Sequence, residues 1–324
     1  MSTKNRILEL LEQHRGESIS GEHLAGILGL SRNTVWKAVK ELQKDGYNIV
    51  AVTNKGYCLS EENDIISIPG IKPFLSEKSQ PFADKIQIYK SLESTNKTAK
   101  EMAVTGSEHG TVIISDCQTM GRGRYSRNFF SPYGGLYMSI ILRPEVLCFE
   151  NQTSVTAFAA VSVCEAIESI SQKAPKIKWV NDIFIDEKKV CGILTEAVTD
   201  FESGGLEWVV LGIGINVYTR TEDFPDELQS LATSIYPDEK TPCVRNKLSA
   251  EIINRILGFD TYPSEAEIFE KYKKRLMMLG KEVTVIQNKT EYRATAIDVD
   301  FVGRLIVKNE NGEIITLSSG EIRI

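Results

Sequence analysis

Apolar positions along this chain fall into three regimes. In the first sixty residues they recur at helical spacing. Ile7, Leu8, Leu10 and Leu11 make one stripe within residues 3–14, and Leu24, Ala25, Ile27 and Leu28 make a second behind Ser20. Gly29 breaks that helix. Ser31 then caps a third, in which Val35, Val39 and Leu42 fall at i, i+4 and i+7. Ser31, Arg32, Asn33 and Thr34 stand at its start, and Arg32, Asn33, Lys37, Lys40 and Lys44 are left largely on its other faces. Helix, glycine turn, helix is the helix-turn-helix pattern. Residues 46–52 and 57–59, joined by Asn54-Lys55-Gly56, predict a hairpin with Lys55 at its tip. The unit reads as a winged helix or, in the plainer reading, as a small helical interaction domain with solvated lysines.

The second regime mixes periods. Residues 63–84 carry Pro69, Pro73 and Pro81 and read as a linker with one short helix. From Lys85 onward, strands are predicted at 86–89, 111–116, 136–142, 190–194 and 208–215, and helices at 97–103, 153–170, 244–258 and 264–278. From Glu282 the period shortens to five strands, at 282–286, 291–297, 304–308, 313–317 and 321–323, with turns at Gly303 and Asn311-Gly312. The expected fold is therefore an α+β multidomain chain. A winged helix-turn-helix spans 1–62, a linker 63–84, a mixed α/β domain 85–279 and a small SH3-like β-barrel 280–324.

Composition narrows the functions. No apolar run approaches the ~18 residues of a membrane span, and the polar start of the chain leads straight into a helix, so neither a membrane protein nor a signal peptide is expected. The six cysteines are scattered without a Cys-x-x-Cys pair, which fits a reducing cytoplasm and argues against zinc. Net charge is −6, yet residues 1–60 carry +2, so only the head is suited to nucleic acid. Only three histidines occur, two of them in the head, so the body's chemistry rests on cations, carboxylates and oriented amides.

Two stretches carry that chemistry. Gln118-Thr119-Met120-Gly121-Arg122-Gly123-Arg124 joins two predicted strands and sets guanidinium forks between glycines. It reads as a clamp for carboxylate and phosphate, or as a solvated Arg/Gly loop or RNA contact. Lys178-Trp179-Val180-Asn181-Asp182 is the second. The cluster Ser94-Thr95-Asn96 at a helix start offers hydroxyls, an amide and free backbone N–H groups, or plain capping. Gly212-Ile213-Gly214-Ile215-Asn216 ends a strand without the third glycine and helix of a dinucleotide fold. There is no P-loop.

Taken in order, Ser94-Thr95-Asn96, Gln118 with Gly121-Arg122-Gly123-Arg124, Lys178 to Asp182, Lys189-Val190-Cys191-Gly192 and Gly212 to Asn216, together with a winged head and a small barrel, resemble the bifunctional biotin protein ligase and biotin-operon repressor family over nearly the whole chain. Val180 stands where the family usually has proline, and Phe129 where relatives often have tryptophan. The first departure is expected to matter little. The second loses an indole N–H.

The resemblance implies ATP-dependent formation of biotinyl-5′-AMP with Mg2+, then transfer of biotin to a lysine of biotin carboxyl carrier domains of the acetyl-CoA carboxylase and pyruvate carboxylase type. It implies that Ser94, Thr95, Asn96 and Gln118 line the biotin head site, while Arg122, Gly123, Arg124 and Lys189 hold the carboxyl and phosphate end. Lys178, Asn181, Asn216 and Phe129 would lie on the nucleotide side. Asp182 would contact metal or amine, or serve only as a turn residue. Ser31, Arg32, Asn33, Thr34, Lys37 and Lys55 would meet operator DNA, bound by an adenylate-dependent homodimer. The rivals are a lipoate- or octanoate-handling acyltransferase and a ligand-sensing repressor without ligase activity. The second would need loss of cations that this chain retains.

Overall fold

The computed structural model describes residues 2–147, 149, 151–199, 206–238, 243–287 and 290–324. The head holds α1 (Thr3–Gln13), β1 (Ser18–Ile19), α2 (Gly21–Leu28), α3 (Arg32–Lys44), β2 (Ile49–Val52) and β3 (Gly56–Leu59). Ser2, Ser20 and Ser31 cap the three helices, each accepting from the backbone N–H three residues on. Gly29 closes α2 at φ 66°. The hairpin takes β1 onto its edge in the order β1-β3-β2. Ile7, Leu8, Leu11, Leu24, Val35, Val39, Leu42 and Leu59 form a separate core under it.

Residues 63–84 are not a free linker. Ile66, Ile71, Leu75 and Ala83 are buried in the core of the body, and α4 (Ile68–Ile71) packs against both α1 and α9 (Val244–Leu257). The three prolines misdirect the reading, because each sits at the start of a short helical turn, where its missing N–H costs nothing. The segment is fastened at both ends. Arg15 donates to the carbonyls of Ser60 and Asn63, and Lys72 pairs with Glu9 at 2.7 Å. On the other side Arg245 holds the Asp64 carboxylate at 2.6 Å and the Asp116 carboxylate at 3.2 Å, with its own side chain only 11% exposed.

The body is built on one sheet. Its strands are β4 (Ile86–Tyr89), β5 (Thr111–Ser115), β6 (Leu136–Leu142), β7 (Lys176–Lys178), β8 (Asp182–Ile185), β9 (Lys188–Thr199) and β10 (Leu206–Ile215), in the order β4-β5-β6-β10-β9-β8-β7. Only β4 and β5 run parallel. Helix α5 (Thr95–Val104) lies on one face, over Ile113, Ile141, Trp208 and Val210. The other face carries α7 (Gln152–Ser171), behind which α9 and α10 (Glu265–Arg275) pack; the short helices α6 (Pro144–Leu147) and α8 (Asp226–Gln229) complete the set. By length and composition α7 could cross a membrane, but 72% of its apolar window is buried in this core. The sequence leads α10 to be expected as far as 278. It stops at Arg275 because Leu276 turns extended and Met277 N–H donates to the Ile177 carbonyl, extending the sheet edge.

The last five strands are β11 (Glu282–Gln287), β12 (Thr290–Val299), β13 (Leu305–Asn309), β14 (Ile314–Leu317) and β15 (Glu321–Arg323). They form an antiparallel sheet in the order β14-β13-β12-β11-β15. Trp179 Nε1 donates to the Gly303 carbonyl at 2.9 Å, which fixes this unit to the body.

Candidate functional site

Side chains alternate across a strand, and that alternation makes the site. On the α5 face, Ile141 of β6 and Val210 of β10 are covered by the helix. Two residues along, the same face carries Ser139 and Gly212, which pair across the strands, and then Gly214. On β9 it carries Gly192, Leu194 and Glu196, with Leu194 opposite Gly212 and Gly192 opposite Gly214. Where α5 begins, the apolar face therefore gives way to a floor of small residues. Above it lies a cavity of 710 Å³.

The glycines are required by close approach. A Cβ on Gly212 would lie 2.0 Å from Asn96 Oδ1, and one on Gly214 would lie 2.6 Å from the Phe129 ring. Gly121 similarly leaves room for the Phe129 carbonyl and the Ser131 hydroxyl.

One end of the cavity is a buried polar wall. Ser94 caps α5, and Ser94, Thr95 and Asn96 are each at most 4% exposed. Thr95 donates its N–H (2.8 Å) and hydroxyl (3.1 Å) to Gln118 Oε1, and Gln118 Nε2 donates to Ser131 Oγ at 2.9 Å. The buried Ser139 hydroxyl lies 2.8 Å from Thr95 Oγ1 and 2.6 Å from Asn96 Oδ1. Asn96 Nδ2 donates to the Leu194 carbonyl (3.2 Å) and to Glu196 (2.8 Å), whose other oxygen takes Lys100 at 2.7 Å. Ser131, Ser139, Glu196 and Lys100 are absent from the sequence-based candidates. No sequence pattern marks them: even Ser139 sits within the run 136–142 like any strand residue.

The opposite wall is cationic. Lys189 pairs with Asp182 at 2.7 Å, and its Nζ lies 5.9 Å from the centre of the Phe129 ring. Lys178 lies over Phe184 at 5.7 Å, and burial pushes its amine below the ordinary lysine value. Between the walls the Arg/Gly loop forms a narrow hairpin, with Gly123 N–H on the Arg127 carbonyl and Phe129 N–H on the Gly121 carbonyl, both at 2.8 Å. Its tip turns through Tyr125 at φ 55°. Arg124 Nη1 donates to Asn181 Oδ1 at 3.3 Å, and its guanidinium lies 5.0 Å from the Tyr125 ring. Among the described residues, the Arg122 side chain has its one ion-pair partner in Glu93, at 3.9 Å. Beyond the loop, Arg127 pairs with Glu321 of β15 and holds that carboxyl below its usual range. The last strand thus closes the cavity, a contribution that spacing alone does not reveal.

The structure brings Ser94, Thr95, Asn96, Gln118, Arg122, Gly123, Arg124, Phe129, Lys178, Asn181, Asp182 and Lys189 onto this one cavity. Asn216 is the exception. It is 4% exposed and stands behind the wall, giving its Nδ2 to the Thr233 carbonyl and its N–H to the Val190 carbonyl. The strand ends at Ile215, one residue before it, and the Asn216 Oδ1 is buried without a hydrogen-bond partner among the described residues. Asn181 is partly committed to structure, giving its Nδ2 to the Ile193 carbonyl at 2.7 Å. The Trp179–Val180 peptide is cis.

In the head, Ser31 and Thr34 are occupied with each other, hydroxyl to hydroxyl at 2.9 Å and Thr34 N–H to Ser31 Oγ at 3.1 Å. Arg32, Asn33 and Lys37 are exposed along the start of α3, and Lys55 is exposed at the hairpin tip between Asn54 (φ 60°) and Gly56 (φ 110°).

Three family models match: an HTH domain over residues 3–58, the biotin/lipoate A/B protein ligase family over 88–216, and a biotin protein ligase C-terminal domain over 278–324. The bifunctional ligase/repressor BirA of Bacillus subtilis is 41% identical over 230 residues, covering 71% of this chain and 69% of the relative. The Escherichia coli protein of the same description is 26% identical over 316 residues, covering 95% of this chain and 94% of that one. Among solved structures, the Aquifex aeolicus biotin protein ligase in complex with biotin and ATP aligns with a TM-score of 0.63 at 30% identity, covering 74% of this chain and 97% of that one.

Proposed function

The chain belongs to the bifunctional biotin protein ligase family, and from that premise we propose how its cavity divides the work. The protein ligates biotin to a carrier lysine using ATP, and represses transcription through its helix-turn-helix head. The observation that carries the division is the pairing of a buried hydroxyl–amide wall with a cationic wall across a glycine floor.

The neutral biotin ureido ring needs donors and acceptors, which Ser94, Thr95, Asn96 and Gln118 offer. Its carboxylate then points toward Lys189, Arg122 and Arg124. In the first step a carboxylate oxygen attacks the α-phosphorus of ATP, the bond to the β-phosphate oxygen breaks, and pyrophosphate leaves. Bringing a carboxylate to a triphosphate costs about 4 kcal/mol per charge pair at 4 Å and an effective dielectric of 20. Fixed cations offset that cost in the transition state. In the second step a carrier lysine amine attacks the activated carbonyl, AMP leaves, and the amine proton passes to water or to Asp182. The residues also fit a magnesium ion brought in on the phosphates, which needs only one or two protein carboxylates. Asp182, beside Lys189, would be one. Bound there, the ion supplies charge neutralisation for the departing pyrophosphate.

Arg32, Asn33 and Lys37 read the operator and Lys55 takes a backbone phosphate. The adenylate orders the Arg/Gly loop and so favours a homodimer whose two heads meet two half-sites. Intact mass of a carboxyl carrier domain incubated with the protein, ATP, magnesium and biotin tests the ligase reading. A single biotin adduct that requires all components is expected, and adduct formation with lipoate in place of biotin would refute it. Sedimentation with and without biotin and ATP tests the dimer.

A further inference from the structure

The polar wall contains an orientation lock. An asparagine amide has two donor hydrogens on nitrogen and two acceptor sites on oxygen. Both hydrogens of Asn96 are spent, on the Leu194 carbonyl and on Glu196 Oε2. Turning the amide over would set its oxygen against a carbonyl and a carboxylate, so the neighbours themselves fix which atom is which. Lys100, at 2.7 Å on the other Glu196 oxygen, keeps the carboxylate from swinging away. Asn96 Oδ1 takes the Ser139 hydroxyl at 2.6 Å, and the missing side chain of Gly212 leaves room for the amide. One acceptor site of a buried oxygen remains, on the side chain that lines the cavity.

We propose that Glu196, backed by Lys100, is a positioning residue that locks Asn96 as a pure acceptor, so that the site demands an N–H from the head group of its carboxylic acid. The inference rests on the biotin reading and sharpens it. A ureido ring has such an N–H. A dithiolane ring or a plain acyl chain has none and would leave the second acceptor site of the Asn96 oxygen desolvated and unfilled, which is how a polar site rejects an analogue lacking one donor. The lock thus separates biotin from lipoate-type acids within a family whose model spans both.

The test uses the full chain and biotin-dependent exchange of pyrophosphate into ATP. The probes are biotin and the two cyclic carbamates in which one or the other ureido N–H is replaced by ring oxygen. These match biotin in shape and differ only in the donor. The wild type should prefer biotin over one of the carbamates by about 100-fold in kcat/KM. Glu196→Ala releases the lock and lets the amide turn its nitrogen toward the ring oxygen. Glu196→Gln, equal in shape and so safest for the fold, should do the same. Lys100 will keep the glutamine carbonyl, which leaves its NH2 facing Asn96. In both variants the preference should shrink about 10-fold or more, with the loss toward biotin falling on KM rather than kcat. A residue that merely props the fold would lower both substrates together and leave the ratio alone. Biotin exchange that persists with an unchanged ratio in Glu196→Gln overturns the lock. A wild type with no biotin-dependent exchange overturns the ligase reading, and the lock with it.

Discussion

The polar wall of the cavity and the Arg/Gly loop that reaches over it are built to different standards of order. The polar wall is finished. Thr95, Asn96, Gln118, Ser131 and Ser139 are joined by hydrogen bonds to one another, and their positions are set by strand pairing and by α5. The Arg/Gly side is not. Tyr125 is 63% exposed, the Arg122 side chain is 45% exposed with a partner no closer than 3.9 Å, and Arg124 holds its neighbours at 3.3 Å. A preorganised wall recognises without reorganising, whereas Arg122 and Arg124, which lack close partners, can gain most of their contacts from the ligand. The difference suits a reaction whose first substrate is neutral at one end and whose intermediate must be held from water at the other.

If the cationic side acts on the transition state, Lys189→Ala should show the largest effect. Pyrophosphate exchange is expected to fall by about 100- to 1,000-fold, carried by kcat. The biotin dissociation constant, measured by calorimetry, should move far less. Equal losses in both would erase the distinction between the walls.

Next in size is Gly212→Ala. The added methyl meets the Asn96 oxygen, which the lock keeps in place, so biotin binding should weaken by about 10- to 100-fold with the adenylation step otherwise intact. Gly214→Ala meets the Phe129 ring, which can swing, and should cost less. The reverse ranking in titrations of the two variants would show that the floor is softer than its hydrogen bonds suggest.

Arg124→Gly should spare synthesis and loosen retention. A charge-assisted contact contributes ~1.5–3 kcal/mol, or about 10- to 100-fold in residence time if it acts on release. Incubated with ATP, biotin and serum albumin, the variant should label albumin beyond the wild-type level. Albumin labelled no faster, with adenylate synthesis intact, would mean that the loop does not retain the intermediate.

The smallest effect concerns Lys178. Its amine is pushed down by desolvation, so at a given pH a larger fraction is neutral and nucleophilic than for a surface lysine. Acetylation near pH 8, followed by peptide mass mapping, should find it modified at least as fast as the exposed lysines despite its partial burial. ATP should protect it. Protection by biotin alone would place Lys178 at the wrong end of the cavity.

Much of this was legible in the chain. The helix stripes of the head, the five terminal strands and the loop motifs announce themselves through capping serines, period and arginines between glycines. Ser139 and Glu196 were not legible. Each looks like an ordinary strand residue, and its role depends on β6, β10 and β9 pairing so that 139, 212 and 194 stand side by side. Periodicity gives a residue's face but not its neighbour across the sheet. Glu321 was hidden for a similar reason, since it lies 194 positions from the arginine it holds. The segment 63–84 misled in the opposite direction. Its prolines spoke louder than Ile66, Ile71 and Leu75, which are the residues that fix it in the core.

That buried segment also bears on chimaera building. A foreign DNA-binding head cannot be grafted at the prolines, because residues from Asp64 onward are part of the catalytic body, held by Arg245 and Asn246. A graft that respects the molecule joins its new head near Ser60 and keeps the native chain from Asn63 forward. It must also replace what Arg15 and Glu9 supplied, or Lys72 and the Asn63 carbonyl will face the new head without their partners.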